Sequence, residues 1–198
     1  MKKRMFNSYE NLPEGYNEIF SVNLQKDKKM ALLLNGIAIV VAAVMAVPAH
    51  FFVPVTELFS FDSGFGAYII RFAVLAGGSV LYMVLHEAVH GISMKISGSK
   101  KVKYGFTGLY AFAGSNDYYD KKSYIFIALS PVVLWGVVLA AINILVPREW
   151  FWVVYFIQMS NISGAVGDFY VTFKFMRFPK DILISDCGVG MTVYSAEE

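Results

Sequence analysis

The sequence predicts an all-α membrane protein with four transmembrane helices and small cytoplasmic β-hairpin elements. Three observations predict it. Of 198 residues, 57% are apolar and 16% charged, whereas an ordinary soluble domain has about 45–50% and about 25%. Four apolar runs reach the roughly 20 residues that a helix needs to cross a hydrocarbon core. Lysine and arginine are concentrated in alternate connections between those runs.

The first run, from about Met30 to Val53, carries no charge and begins just after Lys28 and Lys29. The second, from about Ala67 to Ser93, contains Arg71, His86, Glu87 and His90. The third, from about Ser123 to Val146, is uncharged, and Pro131 within it predicts a kink. The fourth, from about Trp150 to Phe175, contains Asp168. Pro147-Arg148-Glu149 allows only a tight turn, so the last two spans form a helical hairpin.

Orientation follows from the basic residues. Lys2, Lys3, Arg4, Lys26, Lys28 and Lys29 precede the first span. Lys95, Lys100, Lys101, Lys103, Lys121 and Lys122 lie between the second and third, and Lys174, Arg177 and Lys180 close the fourth. The other two connections hold only Arg148. The positive-inside rule then puts both termini and the middle loop in the cytoplasm of a multi-pass cell-membrane protein. Arg71, inside the second span near its start, is expected to snorkel to the external headgroups.

The domain organisation follows: a cytoplasmic N-terminal segment 1–29, a transmembrane domain 30–177 that includes the cytoplasmic loop 94–122, and a cytoplasmic tail 178–198. The N-terminal segment is polar with scattered apolar residues and is expected on the membrane surface. It does not read as a cleavable signal, because the apolar run begins only after Lys29. In the middle loop, Val102, Tyr104 and Phe106, then Tyr110 and Phe112, alternate around Thr107-Gly108 as a hairpin does. The tail reads as short strands around Asp186-Cys187-Gly188. Cys187 is the only cysteine, so no disulfide forms within the chain. A formal charge of +2 leaves no footprint for nucleic acid.

Chemistry concentrates in the second span, at His86-Glu87-Ala88-Val89-His90. Residues four apart on an α-helix sit about 40° apart around the axis and one turn along it. Both histidines therefore reach one metal ion, and Glu87, offset by about 100°, stands beside it to take a proton from water. Ionisable groups in a membrane helix are costly and point to a role.

A catalytic zinc site needs a third protein ligand and an open position. His50 lies at the external end of the first span, and no cysteine lies in a span. Asp168 is the carboxylate within the fourth span, and both it and His86 lie about 10 Å from the cytoplasmic ends of their helices at 1.5 Å per residue. Asn161, Gly164 and Asp168 form a stripe on that helix, with Asn161 a candidate to stabilise an oxyanion.

These residues resemble the site-2 protease class of intramembrane zinc metalloproteases. They more closely resemble a bacterial family of membrane zincin peptidases. The likeness rests on the His-Glu-x-x-His helix, on Asn161-Ile162-Ser163-Gly164-Ala165-Val166-Gly167-Asp168, and on the tail near Asp186 and Tyr194. It implies one zinc ion held by His86, His90 and Asp168, with Glu87 as the catalytic base. It also implies an endopeptidase acting on membrane-anchored or membrane-proximal protein near the cytoplasmic face, with the lipid bilayer and a protein or peptide substrate as partners. The chain departs from site-2 proteases in its Gly167-Asp168 order, with no Asn-Pro before it. Two other readings stay open at this point: a metal-binding membrane protein without catalysis, and a small ion transporter.

Overall fold

The computed structural model describes residues 6–23, 26–108 and 110–196. Lys2, Lys3 and Arg4 lie outside the described residues, as does Leu109 beside Thr107-Gly108. The order of elements is β1 (Ser8–Tyr9), β2 (Asn17–Val22), α1 (Lys28–Phe52), α2 (Gly64–Ile96), β3 (Lys103–Phe106), β4 (Ala111–Gly114), β5 (Tyr118–Asp120), α3 (Lys121–Leu145), α4 (Phe151–Gly164), α5 (Val166–Met176), β6 (Leu183–Asp186) and β7 (Met191–Ser195). Short 3-10 turns occupy Val55–Phe59 and Arg148–Trp150.

Among the described residues, three helices, α1, α2 and α3, are long and apolar enough to cross a membrane. Leu32, Ile39 and Phe51 on α1, and Val137, Ile144 and Leu145 on α3, stay largely exposed. Water makes such surfaces costly and hydrocarbon does not.

The expected fourth span is not one helix. It is divided into α4 of 14 residues and α5 of 11, each short of the roughly 20 needed to cross. Ala165, between them, leaves helical geometry at φ −85° and ψ 14°. The local sequence explains the break. Ser160 and Ser163 turn their hydroxyls back onto the carbonyls of Phe156 and Met159, which bends helices. Gly164 and Gly167 flank Ala165 and hold a helix weakly. The stripe drawn through Asn161, Gly164 and Asp168 therefore spans two helices.

The β structure is larger than small hairpins, so the fold is not all-α. Five antiparallel strands form one sheet in the order β1-β5-β6-β7-β2, and β3 pairs with β4. The N-terminal segment supplies two of the five strands. These strands are short and their burial pattern is mostly exposed, so they carry little apolar alternation to read.

The chain divides into two compact units. The first comprises Met1–Leu33, Glu87–Pro131 and Asp168–Glu198. Its core is built on the five-stranded sheet, with Tyr119, Tyr124, Ile127, Phe175, Ile184 and Val193 almost fully buried. The β3–β4 hairpin has the register Tyr104 opposite Ala113 and Phe106 opposite Ala111, and it turns through Gly108 at φ +88°, a conformation suited to glycine. The segment after β6 turns through Gly188 at φ +90°. Its backbone lies against Gly114, where a Cβ would come within 2.4 Å of Cys187.

The second unit comprises Leu34–His86 and Val132–Gly167. The Trp152 indole donates to the carbonyls of Val53 and Pro54 at 2.9 and 3.1 Å, and Tyr155 donates to Met45. Arg71 does not snorkel. It is 2% exposed, and its guanidinium donates to the carbonyls of Glu57 and Ser60. A turn of irregular backbone beside the start of α2 leaves carbonyls needing donors, and the arginine fills them. Glu57 also pairs with Arg148 at 3.4 Å. His50 is exposed, and its Nδ1 accepts the N–H of Val55.

Candidate metal centre

α2 carries His86, Glu87 and His90, as the spacing requires. Asp168 stands in the first turn of α5, where the unpaired N–H groups of a helix start favour a negative side chain. His86, His90 and Asp168 each offer one ligand atom, and all three atoms lie within 4.8 Å of one another. His90 Nε2 is 3.8 Å from Asp168 Oδ2. Two ligands on a tetrahedral zinc with bonds of 2.0–2.1 Å stand about 3.4 Å apart, so the pair is spaced to share one ion.

The histidines' second nitrogens test the fit further. His90 Nδ1 lies 2.9 Å from the carbonyl oxygen of Ile127. A carbonyl only accepts, so Nδ1 carries a proton, and in the neutral ring the lone pair is on Nε2, the nitrogen facing Asp168. His86 Nδ1 lies 2.8 Å from the Tyr82 hydroxyl. The Tyr82 proton goes to Asn161 Oδ1 at 2.9 Å, and the Asn161 amide is oriented by its Nδ2 donating to the Val132 carbonyl at 3.1 Å. With its one proton committed, the Tyr82 oxygen accepts from His86 Nδ1–H. His86 thereby also carries its lone pair on Nε2. Both rings are held in the tautomer a metal requires, by the outer contacts that metal-binding histidines ordinarily show. The donor set of two imidazoles and one carboxylate suits zinc.

Residues 79–183, just over half of the chain, match the family described as "Putative zincin peptidase". The chain belongs to that family. The match spans α2 from Ser79 through the start of β6, and so takes in His86, Glu87, His90 and Asp168. A protein of Pyrococcus woesei, described as "Uncharacterized 24.7 kDa protein in gap 5'region", is 29% identical over 117 residues, covering 57% of this chain and 50% of its own. This chain thus spans about half the length of that relative. No solved structure matches it.

Around the centre, Glu87 accepts the backbone N–H of Ala113 on β4. Asn161 is fully buried and stands behind His86, with its amide engaged at both ends. Two residues that the spacing argument did not find complete the surroundings. Tyr82 orients His86, and its position one turn before His86 was a readable signal. Asp186, known from the sequence only through the family resemblance, is buried on β6. Its carboxylate accepts the Tyr124 hydroxyl at 2.6 Å and the Gly188 N–H at 2.8 Å. Burial holds its carboxyl above the usual range, against the pull of those two bonds and of His90.

Proposed function

We propose that this chain is a membrane-embedded zinc metalloendopeptidase that cuts membrane-anchored or membrane-proximal protein near the cytoplasmic face. One observation carries the reading: His86, His90 and Asp168 converge on the helix that also presents Glu87, with both imidazoles in the ligand tautomer. The distribution of lysine and arginine supports the cytoplasmic side. The likeness to site-2 proteases is part of the same proposal.

In this reading His86 Nε2, His90 Nε2 and Asp168 hold the ion. A zinc ion bound there supplies Lewis acidity, acidifying a water and polarising a carbonyl. Glu87 takes the proton of the attacking water as its oxygen joins the carbonyl carbon and the π pair moves onto the carbonyl oxygen. When the C–N bond breaks, Glu87 passes that proton to the leaving nitrogen. Asn161 acts through Tyr82 on His86, not on the oxyanion, because its amide is committed to Tyr82 and Val132.

The β3–β4 hairpin gives the substrate a place. Thr107 N–H bonds the Tyr110 carbonyl, and pairing alternates along an antiparallel ladder. Ala111 and Ala113 therefore aim their backbone groups away from β3, and the N–H of Ala113 meets Glu87. An extended peptide that adds to this edge lies alongside the catalytic base.

The test uses the full chain purified in detergent. Zinc content is measured for wild type, His86→Ala and Asp168→Ala, and cleavage of casein is measured for wild type and Glu87→Gln. Wild type is expected to hold one zinc and cut, the ligand variants to lose the ion, and Glu87→Gln to keep it without cutting. Cleavage by Glu87→Gln at the wild-type rate would end the mechanism. Zinc without any hydrolysis by wild type would leave a metal-binding membrane protein in its place.

A further inference from the structure

Pro131 lies inside α3, which runs on from Lys121 to Leu145 without a break, and it is among the fully buried side chains. In an α-helix the N–H of each residue bonds the carbonyl four residues back. Position 131 should serve Ile127, and proline has no N–H to give. A carbonyl left without a donor inside a membrane is costly, so side chains are drawn to it. Two arrive. Ser130 Oγ donates to the Ile127 oxygen at 3.1 Å, and His90 Nδ1 donates to the same oxygen at 2.9 Å. Ser93 Oγ lies 2.6 Å from Ser130 Oγ. Since the Ser130 proton points at Ile127, Ser93 is the donor of that pair. The row Ser93, Ser130, Ile127 carbonyl and His90 is thus a complete chain of donors meeting at one acceptor, and the acceptor exists because residue 131 is proline.

We propose that Pro131 is a positioning residue for the metal centre: it frees the Ile127 carbonyl to hold the Nδ1–H of His90 and so fixes Nε2 as the nitrogen offered to the ion. The inference rests on the metal-centre reading above. The proline ring adds to the effect, because it crowds the carbonyl four residues back and tilts it off the helix axis. A residue with an N–H at 131 would reclaim that carbonyl for the helix ladder and set the His90 ring loose.

The experiment measures the dissociation constant for Zn²⁺ itself, by competition with a chromophoric chelator, on the full chain in detergent. The variants are Pro131→Ala and Pro131→Gly, both of which restore the N–H. The melting temperature of each metal-free protein is recorded alongside. Affinity for Zn²⁺ is expected to fall about 10-fold or more, the usual effect of losing such an outer contact. The metal-free melting temperature of Pro131→Ala is expected to stay level or rise, since a helix interior tolerates alanine better than proline. In zinc-loaded, ¹⁵N-histidine-labelled wild type, the His90 Nδ1 proton should resist exchange, and in Pro131→Ala it should not. Wild-type affinity in both variants overturns the inference. So does an affinity loss that merely tracks a lowered melting temperature. If His90→Ala binds Zn²⁺ as tightly as wild type, the metal centre itself fails; if His90→Ala is weak while Pro131→Ala is normal, only the role of Pro131 falls.

Discussion

His90 Nε2 and Asp168 Oδ2 lie 3.8 Å apart, although they come from different helices and Asp168 begins a new one. The break at Ala165 allows this. It starts α5 two residues before Asp168, so the carboxylate sits in a first helical turn, where a negative side chain is favoured. Asp168→Asn keeps the shape and removes the charge, so its zinc affinity should fall beyond the roughly 100-fold seen for outer contacts. Asp168→Glu should not restore it, because the added methylene moves the oxygens off a position fixed by the helix start. Equilibrium dialysis against buffered zinc measures both, and wild-type affinity in Asp168→Asn would remove it from the ligand set.

The Tyr82 hydroxyl offers a second entry to the same site. Tyr82→Phe leaves His86 Nδ1 facing a ring edge instead of an oxygen, and it unpairs Asn161 Oδ1 in a buried setting. Zinc affinity is expected to drop about 10–100-fold. Stability of the metal-free protein should also fall, by about 1–3 kcal/mol for the stranded amide. Adding Asn161→Leu to Tyr82→Phe should recover most of the stability and none of the affinity. Competition with a chelator and thermal unfolding read the two effects separately.

How far the sequence reached depends on the physics at each place. α1, α2 and α3 were legible because long apolar runs have one reading in a chain of this composition. The pairing of His86 with His90 was legible because helical spacing fixes it. The break in the expected fourth span was not legible because hydropathy averages over Ser160, Ser163, Gly164 and Gly167, whose backbone effects interrupt the helix without lowering its apolar character. The sheet was only glimpsed, since β1 and β2 find their partners in β5 and β7 far along the chain, and no local pattern encodes such pairing. Arg71 was misplaced because charge alone does not tell headgroups from backbone carbonyls. Pro131 was legible as an interruption of the helix ladder, while the carbonyl it releases became meaningful only when His90 was seen to reach it.

Tyr119 gives an alkaline prediction. It is fully buried on β5, its hydroxyl engaged with Ser99 and Ser115 at 2.6 and 2.8 Å. Burial, with those two bonds pulling the other way, pushes its phenol up to about 12 from an ordinary 10. A value raised on folding means that the neutral form is favoured in the folded state. Its contribution is therefore whole below about pH 10 and is lost as the pH rises toward 12. The melting temperature should decline across that window, and Tyr119→Phe should flatten the decline while starting lower, because Ser99 and Ser115 lose their partner. An equally steep alkaline decline in Tyr119→Phe would assign the effect to other groups.

Gly91 and Tyr104 should show a coupling whose sign reverses. A Cβ built on Gly91 would meet the Tyr104 hydroxyl at 2.0 Å and its ring carbons at 2.6 and 2.9 Å. Because Cβ atoms lean toward the helix start, that spot covers the turn between Glu87 and Gly91. The ring must move aside if any side chain appears there. In the wild-type background Gly91→Ala should destabilise by about 1–3 kcal/mol through overpacking. With Tyr104→Ala already in place the obstacle is gone, and the same Gly91→Ala should stabilise by about 0.5–1 kcal/mol, as alanine does for glycine in a helix. A double-mutant cycle by thermal unfolding reads the difference directly. Additive effects in that cycle would mean that the Tyr104 ring does not rest on α2 at Gly91.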